Sequence, residues 1–379
     1  MRALIAVLCA SVLVLSVSAA GLAADTKVGP RGQFYVNGKA VVPLGVWQQP
    51  EYLFAYHRHL GMNCLVWPPG GGRPRATRPG YLIGAAKAGL GAIVHYEPNL
   101  VPMPATWGWI SSSWTPDKGA QRYRQLRQAD PNHVVMVNFP AHELLKGEQA
   151  EFAKQAVRNT DCVVSHVWPE MLDPNHRNLR NVGDLVDRIR RACKDRPGGE
   201  VSIWPDINPH LWTLQKARGG TLYPAPTPAE LRFQVWLALI HGADGICFFP
   251  ISFDPFVWTQ IPAKCEQELG RTSRLVQRFA EALTAEESPL KIKLTGTRKG
   301  GVVDFTTRRL KGNDYVFVVN GQAEPQTVRM EAEGLGTERR LHDAIGDKPV
   351  PASGGAHEEK LGGLELRIWR IEPAAEAAD

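Results

Sequence analysis

The chain has 379 residues, of which 44% are hydrophobic and 22% charged, and its formal net charge is +6. This composition excludes a disordered or collagen-like chain, and the charges are too mild and too mixed for a nucleic-acid-binding surface. Eleven tryptophans beside 36 glycines and 29 prolines indicate a loop-rich globular protein with many large flat side chains.

The first 24 residues have the pattern of a secretory signal peptide. Met1 and Arg2 precede an apolar run over residues 3–17, and small residues follow before Asp25. A basic tip, a short apolar core and a small-residue exit are typical of such signals. No later apolar stretch reaches the ~18 residues of a membrane-spanning helix. We therefore expect an exported protein, periplasmic or extracellular, that has no membrane contact after signal removal.

The cysteines do not form a disulfide or zinc-binding pattern. After signal removal five remain, scattered along the chain and without a CxxC pair. Cys64, Cys162 and Cys247 each lie inside an apolar run, where cysteine usually packs as a small buried hydrophobic side chain. We expect that packing role for all three, and no metal or other cofactor.

From residue 42 onward, short apolar runs alternate with helix-length segments. Eight runs predict strands at residues 42–47, 62–67, 92–96, 106–110, 134–138, 162–167, 201–204 and 245–249. Before the last of them, Thr227, Pro228 and Glu230 form a helix start signal, with a capping residue, a first-turn proline and an acidic side chain. Eight strand–helix units in about 250 residues are the repeat of a (β/α)8 barrel.

After a helix predicted over residues 271–283, the pattern changes to strands and turns. Strand-like runs at residues 302–305, 315–320, 326–330 and 364–371 are separated by glycine-rich turns. These features predict a small antiparallel β-sandwich. The expected fold is thus α/β, with a TIM barrel over residues 25–287, a β-sandwich over 288–373 and a tail over 374–379.

Aromatic residues cluster where the predicted barrel strands end, and the carboxyl ends of the strands form the active site in barrels of this type. Flat aromatic faces suit the C–H faces of sugar rings, although a single tryptophan can also cap the barrel under its loops. Together with two polar strand-end residues, they predict a carbohydrate-binding cleft. The predicted binding residues are Trp47, Trp67, Trp109, Trp114, Asn138, His166, Trp168, Trp204 and Trp258.

Several motifs carry a resemblance to a known group of enzymes. They are the runs at residues 34–39 and 43–47, the Leu-Gly-Met-Asn at 60–63, the Asp-Pro-Asn-His at 130–133, and the helix–strand segment at 230–246. Over residues 34–283 the chain resembles the glycoside-hydrolase barrels of clan A and of the β-galactosidase type. The resemblance implies a glycosidase-like barrel, and a trailing β domain is common in that group.

The chain departs from that group after the fourth strand. The group has an acidic motif there, whereas this sequence has Ser113, Trp114 and Thr115. Glycosidic hydrolysis generally needs two carboxylates that flank one bond. Asp206 follows the seventh strand, where the resemblance implies the nucleophile, and we predict it as nucleophile or base. We predict Glu97 or Glu170 as the acid.

Two other functions fit the same sequence. A carbohydrate-binding barrel without catalysis agrees with the missing acidic motif. A sugar isomerase or lyase on the same barrel predicts dependence on a divalent metal or release of unsaturated products. A metal site would have to use residues such as His142, Glu143, His166 and Glu170, but these lack a metal-binding spacing. The leading hypothesis is an exported glycoside hydrolase that needs no cofactor and acts on a poly- or oligosaccharide.

Overall fold

A computed structural model describes residues 23–69, 79–111, 116–140, 154–155, 157–166, 178–194, 196, 198–209, 212–213, 222–250, 261–297 and 302–373. Its strands begin with a small antiparallel sheet, β1 (Thr26–Val28), β2 (Phe34–Val36) and β3 (Lys39–Val41). The next strands are β4 (Leu44–Trp47), β5 (Cys64–Val66), β6 (Gly91–Val94), β7 (Thr106–Ser111), β8 (Val134–Pro140), β9 (Cys162–His166), β10 (Ser202–Ile207), β11 (Trp212–Thr213), β12 (Leu222–Tyr223) and β13 (Ile246–Phe248).

Eight of these strands close a parallel barrel, in the order β10-β13-β4-β5-β6-β7-β8-β9, while β11 and β12 form a separate hairpin. The helices around it are α1 (Phe54–His59), α2 (Pro79–Lys87), α3 (Pro116–Ala129), α4 (Asn181–Cys193), α5 (Pro228–Ile240), α6 (Ala263–Arg278) and α7 (Ala280–Thr284). The predicted barrel is confirmed. Within the described ranges, no helix is long and apolar enough to cross a bilayer.

Helix α5 begins where the sequence predicts, and its first residues form the hydrogen bonds of a capping box. The backbone N–H of Glu230 donates to Oγ1 of Thr227 (3.2 Å), and the Thr227 N–H donates to the Glu230 carboxylate (2.6 Å). Each side chain satisfies a backbone donor that a helix terminus otherwise leaves unpaired. This capping box fixes where α5 begins, and α5 in turn leads the chain into β13.

The barrel interior is filled by apolar side chains, because every second strand residue points inward. The three cysteines predicted to be buried, Cys64, Cys162 and Cys247, belong to this interior cluster and are free thiols. At the amino-terminal end of the barrel, the ring of Phe34 lies 5.3 Å from Trp204 and 5.9 Å from Trp107. The sheet β1–β3 therefore closes that end, and any opening faces the carboxyl ends of the strands.

The carboxyl-terminal part forms two antiparallel sheets. Its strands are β14 (Ile292–Gly296), β15 (Val303–Leu310), β16 (Asn313–Asn320), β17 (Gln326–Ala332), β18 (Arg339–Asp343), β19 (Lys348–Val350), β20 (Ala356–Leu361) and β21 (Leu366–Pro373). The sheets have the orders β14-β17-β20 and β15-β16-β21-β18-β19, and an apolar core of residues such as Val318, Val328 and Trp369 lies between them. The β-sandwich is confirmed, with four strands beyond the four predicted, since strands such as β20 carry mostly polar residues.

Helix α5 is buried on nearly all sides, unlike an ordinary outer helix of a barrel. Its inner side packs on the strands, and its outer side meets the sandwich, where Trp236 stacks on Phe317 with ring centroids 6.0 Å apart. A helix that is apolar around its whole circumference needs cover on both sides. The sandwich provides the outer cover, so barrel and sandwich share one hydrophobic core.

One predicted helix differs in the structure. The segment predicted as a single helix over residues 271–283 is α6, which begins eight residues earlier at Ala263, followed by the short α7. Gly270 and the polar Thr272 and Ser273 hide the apolar period of α6 in the sequence, although all three are buried. Gly270 allows close approach, because a Cβ there would lie 3.2 Å from the Leu60 side chain.

Candidate active site

Four polar side chains form the uppermost described layer of the barrel interior. In an eight-stranded barrel, the strands are tilted, so one level of the interior shifts by about one residue from each strand to the next relative to the paired residues. Each level therefore contains inward-pointing residues from alternate strands. The strand registers place Trp47 of β4, His95 just after β6, Asn138 of β8 and Asp206 of β10 at one level. We call these four residues the mouth layer. The level below it is apolar and consists of Val66, Ile110, Val164 and Cys247.

Each residue of the mouth layer carries a buried polar atom without a hydrogen-bond partner among the residues that the structure describes. These atoms are Nε1 of Trp47, Nε2 of His95, Oδ1 of Asn138 and Oδ1 of Asp206. An unpaired buried polar atom costs about 1–3 kcal/mol. Other such atoms are scattered through the chain, but these four share one level at the end where barrel enzymes bind their ligands.

Asp206 lies in a setting that disfavours its charge. The residue is 2% exposed, and burial raises the pKa of its carboxyl well above the ordinary 3.8. The nearby indole N–H of Trp47 opposes the rise, although it does not meet full hydrogen-bond geometry. Because the layer below is apolar, no other group compensates a negative charge from that side. Burial therefore favours the neutral carboxylic acid form of Asp206 over the carboxylate.

One side of the mouth is an arc of aromatic rings in sequential contact. Phe249 lies 6.1 Å from Trp47, Trp47 lies 5.6 Å from Trp67, and Trp67 lies 4.8 Å from His95 between ring centroids. The contacts are tilted or edge-on, the geometries that aromatic quadrupoles favour. Asn138, His166 and Asp206 come from the remaining strands. The mouth thus has an aromatic side and a polar side.

Backbone strain accompanies the aromatic arc. Gln48 (φ 49°) and Trp67 (φ 60°) adopt left-handed conformations, which cost a non-glycine residue about 1–2 kcal/mol. Each extends the barrel ladder by one bond, since the Gln48 N–H donates to Val66 O (2.9 Å) and the Trp67 N–H donates to Ile93 O (3.0 Å). Such strain persists where the surroundings enforce it, and it is frequent at ligand sites.

A buried polar bracket holds Trp47 from behind. The Gln49 amide donates to the Trp47 carbonyl (2.6 Å), and its oxygen pairs with Nε2 of His57 (2.9 Å). The Tyr81 hydroxyl donates to the Gln49 carbonyl (3.2 Å). Burial lowers the pKa of His57 to about 3, so the ring stays neutral. These bonds fix the turn that follows β4 and, with it, the Trp47 indole.

The structure brings several predicted site residues together. Trp47, Trp67, Asn138, His166 and Asp206 all lie at the mouth, on or beside the ends of their strands. His166 is half-buried and pairs in register with Asp206. Glu97 is half-buried and precedes the short 3-10 helix Pro98–Leu100 that follows β6. The predicted residues Trp114, Trp168, Glu170 and Trp258 lie outside the described residues.

Two predicted sugar-binding residues are in the wrong place for that role. Trp109 points away from the barrel interior, is fully buried, and donates its indole N–H to Asp130 (2.8 Å). Trp204 points inward but lies two residues below Asp206, fully buried against Phe34, with its N–H bonded to Oγ of Ser202 (2.8 Å). Neither has surface to offer a ligand, so both predictions are wrong.

Sequence reasoning missed His95. The period-two alternation within the third strand gives the signal, because His95 follows the inward Gly91 and Ile93 on the same face. Burial lowers the pKa of His95, as does Arg122, while Glu97 opposes the shift. As for metals, no group of three or more His, Cys, Asp or Glu side chains among the described residues is placed to hold an ion.

Comparisons with known proteins bear on the fold. No family model and no curated protein matches the sequence. Among solved structures, a protein described as a glycoside hydrolase is 11% identical with a TM-score of 0.57, and the match covers 93% of this chain and 97% of that one. AmyP in complex with maltose is 11% identical (TM-score 0.54; 88% and 97% covered). The α-galactosidase I of Mortierella vinacea is 10% identical (TM-score 0.53; 89% and 98% covered).

Proposed function

We propose that this glycosidase-like barrel is an exported glycoside hydrolase whose reaction takes place over the mouth layer. The observation that carries the proposal is Asp206, a buried carboxyl at the carboxyl end of a barrel strand, whose Oδ1 has no hydrogen-bond partner among the described residues. A strongly perturbed titratable group in such a position is typical of catalytic sites. The shared architecture with the glycoside hydrolase and α-galactosidase structures supports the same reaction class.

Asp206 is best suited to act as the general acid. A protonated carboxyl can donate its proton to the oxygen of the glycosidic bond as that bond breaks. The resulting carboxylate then gains the nearby Trp47 N–H as a donor, which favours the charged form. This role replaces the nucleophile or base role that the sequence suggested, because the burial of Asp206 disfavours a resting negative charge.

Glu97 is our candidate for the second carboxylate. It follows the strand of His95 and lies at the mouth end of the barrel, where it influences the titration of His95. In the reaction it would stabilise the positive charge that develops on the sugar, or activate water. Glu170 remains the alternative from the sequence.

The two sides of the mouth match a sugar ring. The arc of Phe249, Trp47 and Trp67 offers apolar faces to ring C–H groups. On the other side, polar atoms such as Oδ1 of Asn138, which has no partner among the residues described, are available to hydroxyl groups. A poly- or oligosaccharide is therefore the proposed substrate. The apolar amino-terminal sequence before Asp25 supports export, which amino-terminal sequencing of the secreted protein would test.

A second function has its own supporting observation. The mouth layer contains one carboxyl, whereas glycosidic hydrolysis generally uses two. A barrel that binds carbohydrate without cleaving it needs only the aromatic arc and the polar atoms.

The test uses the mature chain from Asp25 on plant, algal and bacterial polysaccharides, with new reducing ends and binding followed together. Asp206→Asn and Glu97→Gln are the active-site variants, and Glu281→Gln, on the exposed surface of α7, is the matched carboxyl-to-amide control. We expect new reducing ends with the wild type and the control and a severe loss with Asp206→Asn. Binding without cleavage, equal in all four proteins, would instead establish the carbohydrate-binding barrel.

A further inference from the structure

His95 provides the imidazole of the mouth layer. It stands between Trp47 and Asn138 within the mouth layer, and its ring is edge-on to Trp67 at 4.8 Å. Its Nε2 atom is buried and unpaired among the described residues. Trp67, which holds the ring in place, is itself fixed by a strained left-handed backbone and the bond to Ile93. The structure thus orients this imidazole, but no described residue forms a hydrogen bond with its Nε2.

The surroundings of His95 favour the neutral form of its ring. Burial is the largest influence on its titration, Arg122 of α3 acts in the same direction, and Glu97 acts against both. Burial also favours the neutral form of Asp206, the other ionisable member of the mouth layer. A neutral imidazole has one N–H donor and one acceptor nitrogen. It therefore forms directional hydrogen bonds to uncharged groups and does not attract anions as a charged ring would.

The mouth layer offers a mixed set of hydrogen-bonding groups. Trp47 supplies only a donor, Oδ1 of Asn138 is an acceptor, and the Asp206 carboxylic acid can serve as either. A hydroxyl group both donates and accepts, so a ring with several neighbouring hydroxyls can meet all of these requirements. A site that holds hydroxyls through buried polar atoms strongly rejects a ligand that lacks one, because the protein atom is then left unpaired.

We propose that His95 is a substrate-contacting residue whose Nε2 atom binds one hydroxyl of the sugar seated over the mouth layer and thereby selects among sugars that differ at that hydroxyl. The proposal rests on the proposed function, since it needs a sugar in the mouth. It adds a specificity determinant that acts through hydrogen bonding in the neutral state and has no part in proton transfer.

The test measures binding by calorimetry, first with nitrophenyl α- and β-glycosides of glucose, galactose and arabinose. For the glycoside that the wild type binds best, analogues that each lack one hydroxyl are then compared in the wild type and in His95→Phe. We expect one analogue to bind the wild type about tenfold more weakly than the parent sugar. In His95→Phe, the parent sugar should fall to the affinity of that analogue, and the selectivity should vanish.

Two isosteric variants separate contact from shape. The amide of His95→Gln reaches toward the position of Nε2, whereas that of His95→Asn lies nearer to Nδ1, so only the glutamine variant should restore selectivity. His357→Gln, at a buried imidazole of the sandwich, is the control and should leave binding unchanged. Equal weakening of the parent and all analogues in His95→Phe would overturn the proposal. Failure of the wild type to bind any of the glycosides would instead count against the proposed function. The proposed contact of His95 with a sugar hydroxyl would then be overturned as well.

Discussion

Asp206 in the mouth and Asp304 at the contact between barrel and sandwich are both removed from water, yet their surroundings act in opposite directions. Burial raises the pKa of Asp206, and the nearby Trp47 N–H offsets only part of the rise. Burial alone would also raise the pKa of Asp304, but His241 and Arg180 outweigh it and lower the pKa. Arg180 binds Asp304 through both of its terminal nitrogens, at 2.6 and 2.9 Å.

The difference separates a functional from a structural use of the same side chain. Arg180, Asp187, His241 and Asp304 form what we call the Asp304 cluster, in which each charged group has an oppositely charged neighbour. Nε2 of His241 lies 3.3 Å from Asp304, and its Nδ1 lies 3.1 Å from Asp187. The Asp304 cluster joins α4 and α5 to β15 of the sandwich. The mouth layer contains four buried polar atoms that have no hydrogen-bond partner in the part of the chain that the structure describes. Groups that are complete in the folded chain stabilise it, whereas groups that remain incomplete are available to a ligand.

The largest effect should follow from Asp206→Asn. Loss of a general acid lowers kcat/KM by about 10²–10⁴-fold. The fold should change little in stability, because Oδ1 of Asp206 has no hydrogen-bond partner among the described residues. Kinetics on the best polysaccharide of the panel and thermal unfolding, measured on one preparation, check both parts. A parallel collapse of stability and activity would show that Asp206 has a structural role like that of Asp304.

Asp304→Asn should produce the reverse result. It leaves Arg180 and His241 without their shared carboxylate, and we expect the free energy of unfolding to fall by about 2 kcal/mol. Activity below the unfolding transition should be retained, because the cluster lies outside the barrel mouth. Urea unfolding at neutral pH measures the loss, and unchanged stability would mean that the cluster contributes nothing to the barrel–sandwich contact.

The sequence predicted the fold and part of the site. The eight apolar runs predicted the barrel, and strand ends correctly placed Trp47, Trp67 and Asp206 at the mouth. Proximity to a strand end does not give the direction of a side chain, which misplaced Trp109, or its depth in the barrel, which misplaced Trp204. Depth along an inward face depends on the stagger between strands, a property of the closed barrel. The sequence therefore could not show that His95 and Asn138 share a level with Asp206.

A smaller effect should follow from Trp47→Phe, which keeps the ring but removes the N–H near Asp206. Without this donor the pKa of Asp206 should rise further, so the alkaline limb of kcat/KM should move to higher pH by up to about one unit. Trp67→Phe is the matched control, because Trp67 packs against Trp47 and His95. In this variant the alkaline limb of kcat/KM should stay at the wild-type pH. A limb that moves equally in both variants would assign the effect to ring packing.

The smallest effect concerns the pH dependence of stability at His241. Burial lowers its pKa, but Asp304 and Asp187 outweigh burial and raise it above 6.5. The contribution of the charged ring is therefore fully present below pH 6.5 and is lost as the pH rises through the folded value. The stability difference between the wild type and His241→Gln should shrink from about pH 6 to pH 9 in urea unfolding. A constant difference would mean that the ring acts only by packing.

The double-sided burial of α5 has a consequence for how this molecule can be divided. A barrel cut off after α7 would expose the outer face of α5, including the indole of Trp236 that Phe317 now covers. Such a fragment would tend to self-associate through that surface. Recombination that exchanged the sandwich for another module would also require a new, polar outer face on α5. We therefore expect the barrel to need either this sandwich or a redesigned α5 to be produced as a stable protein.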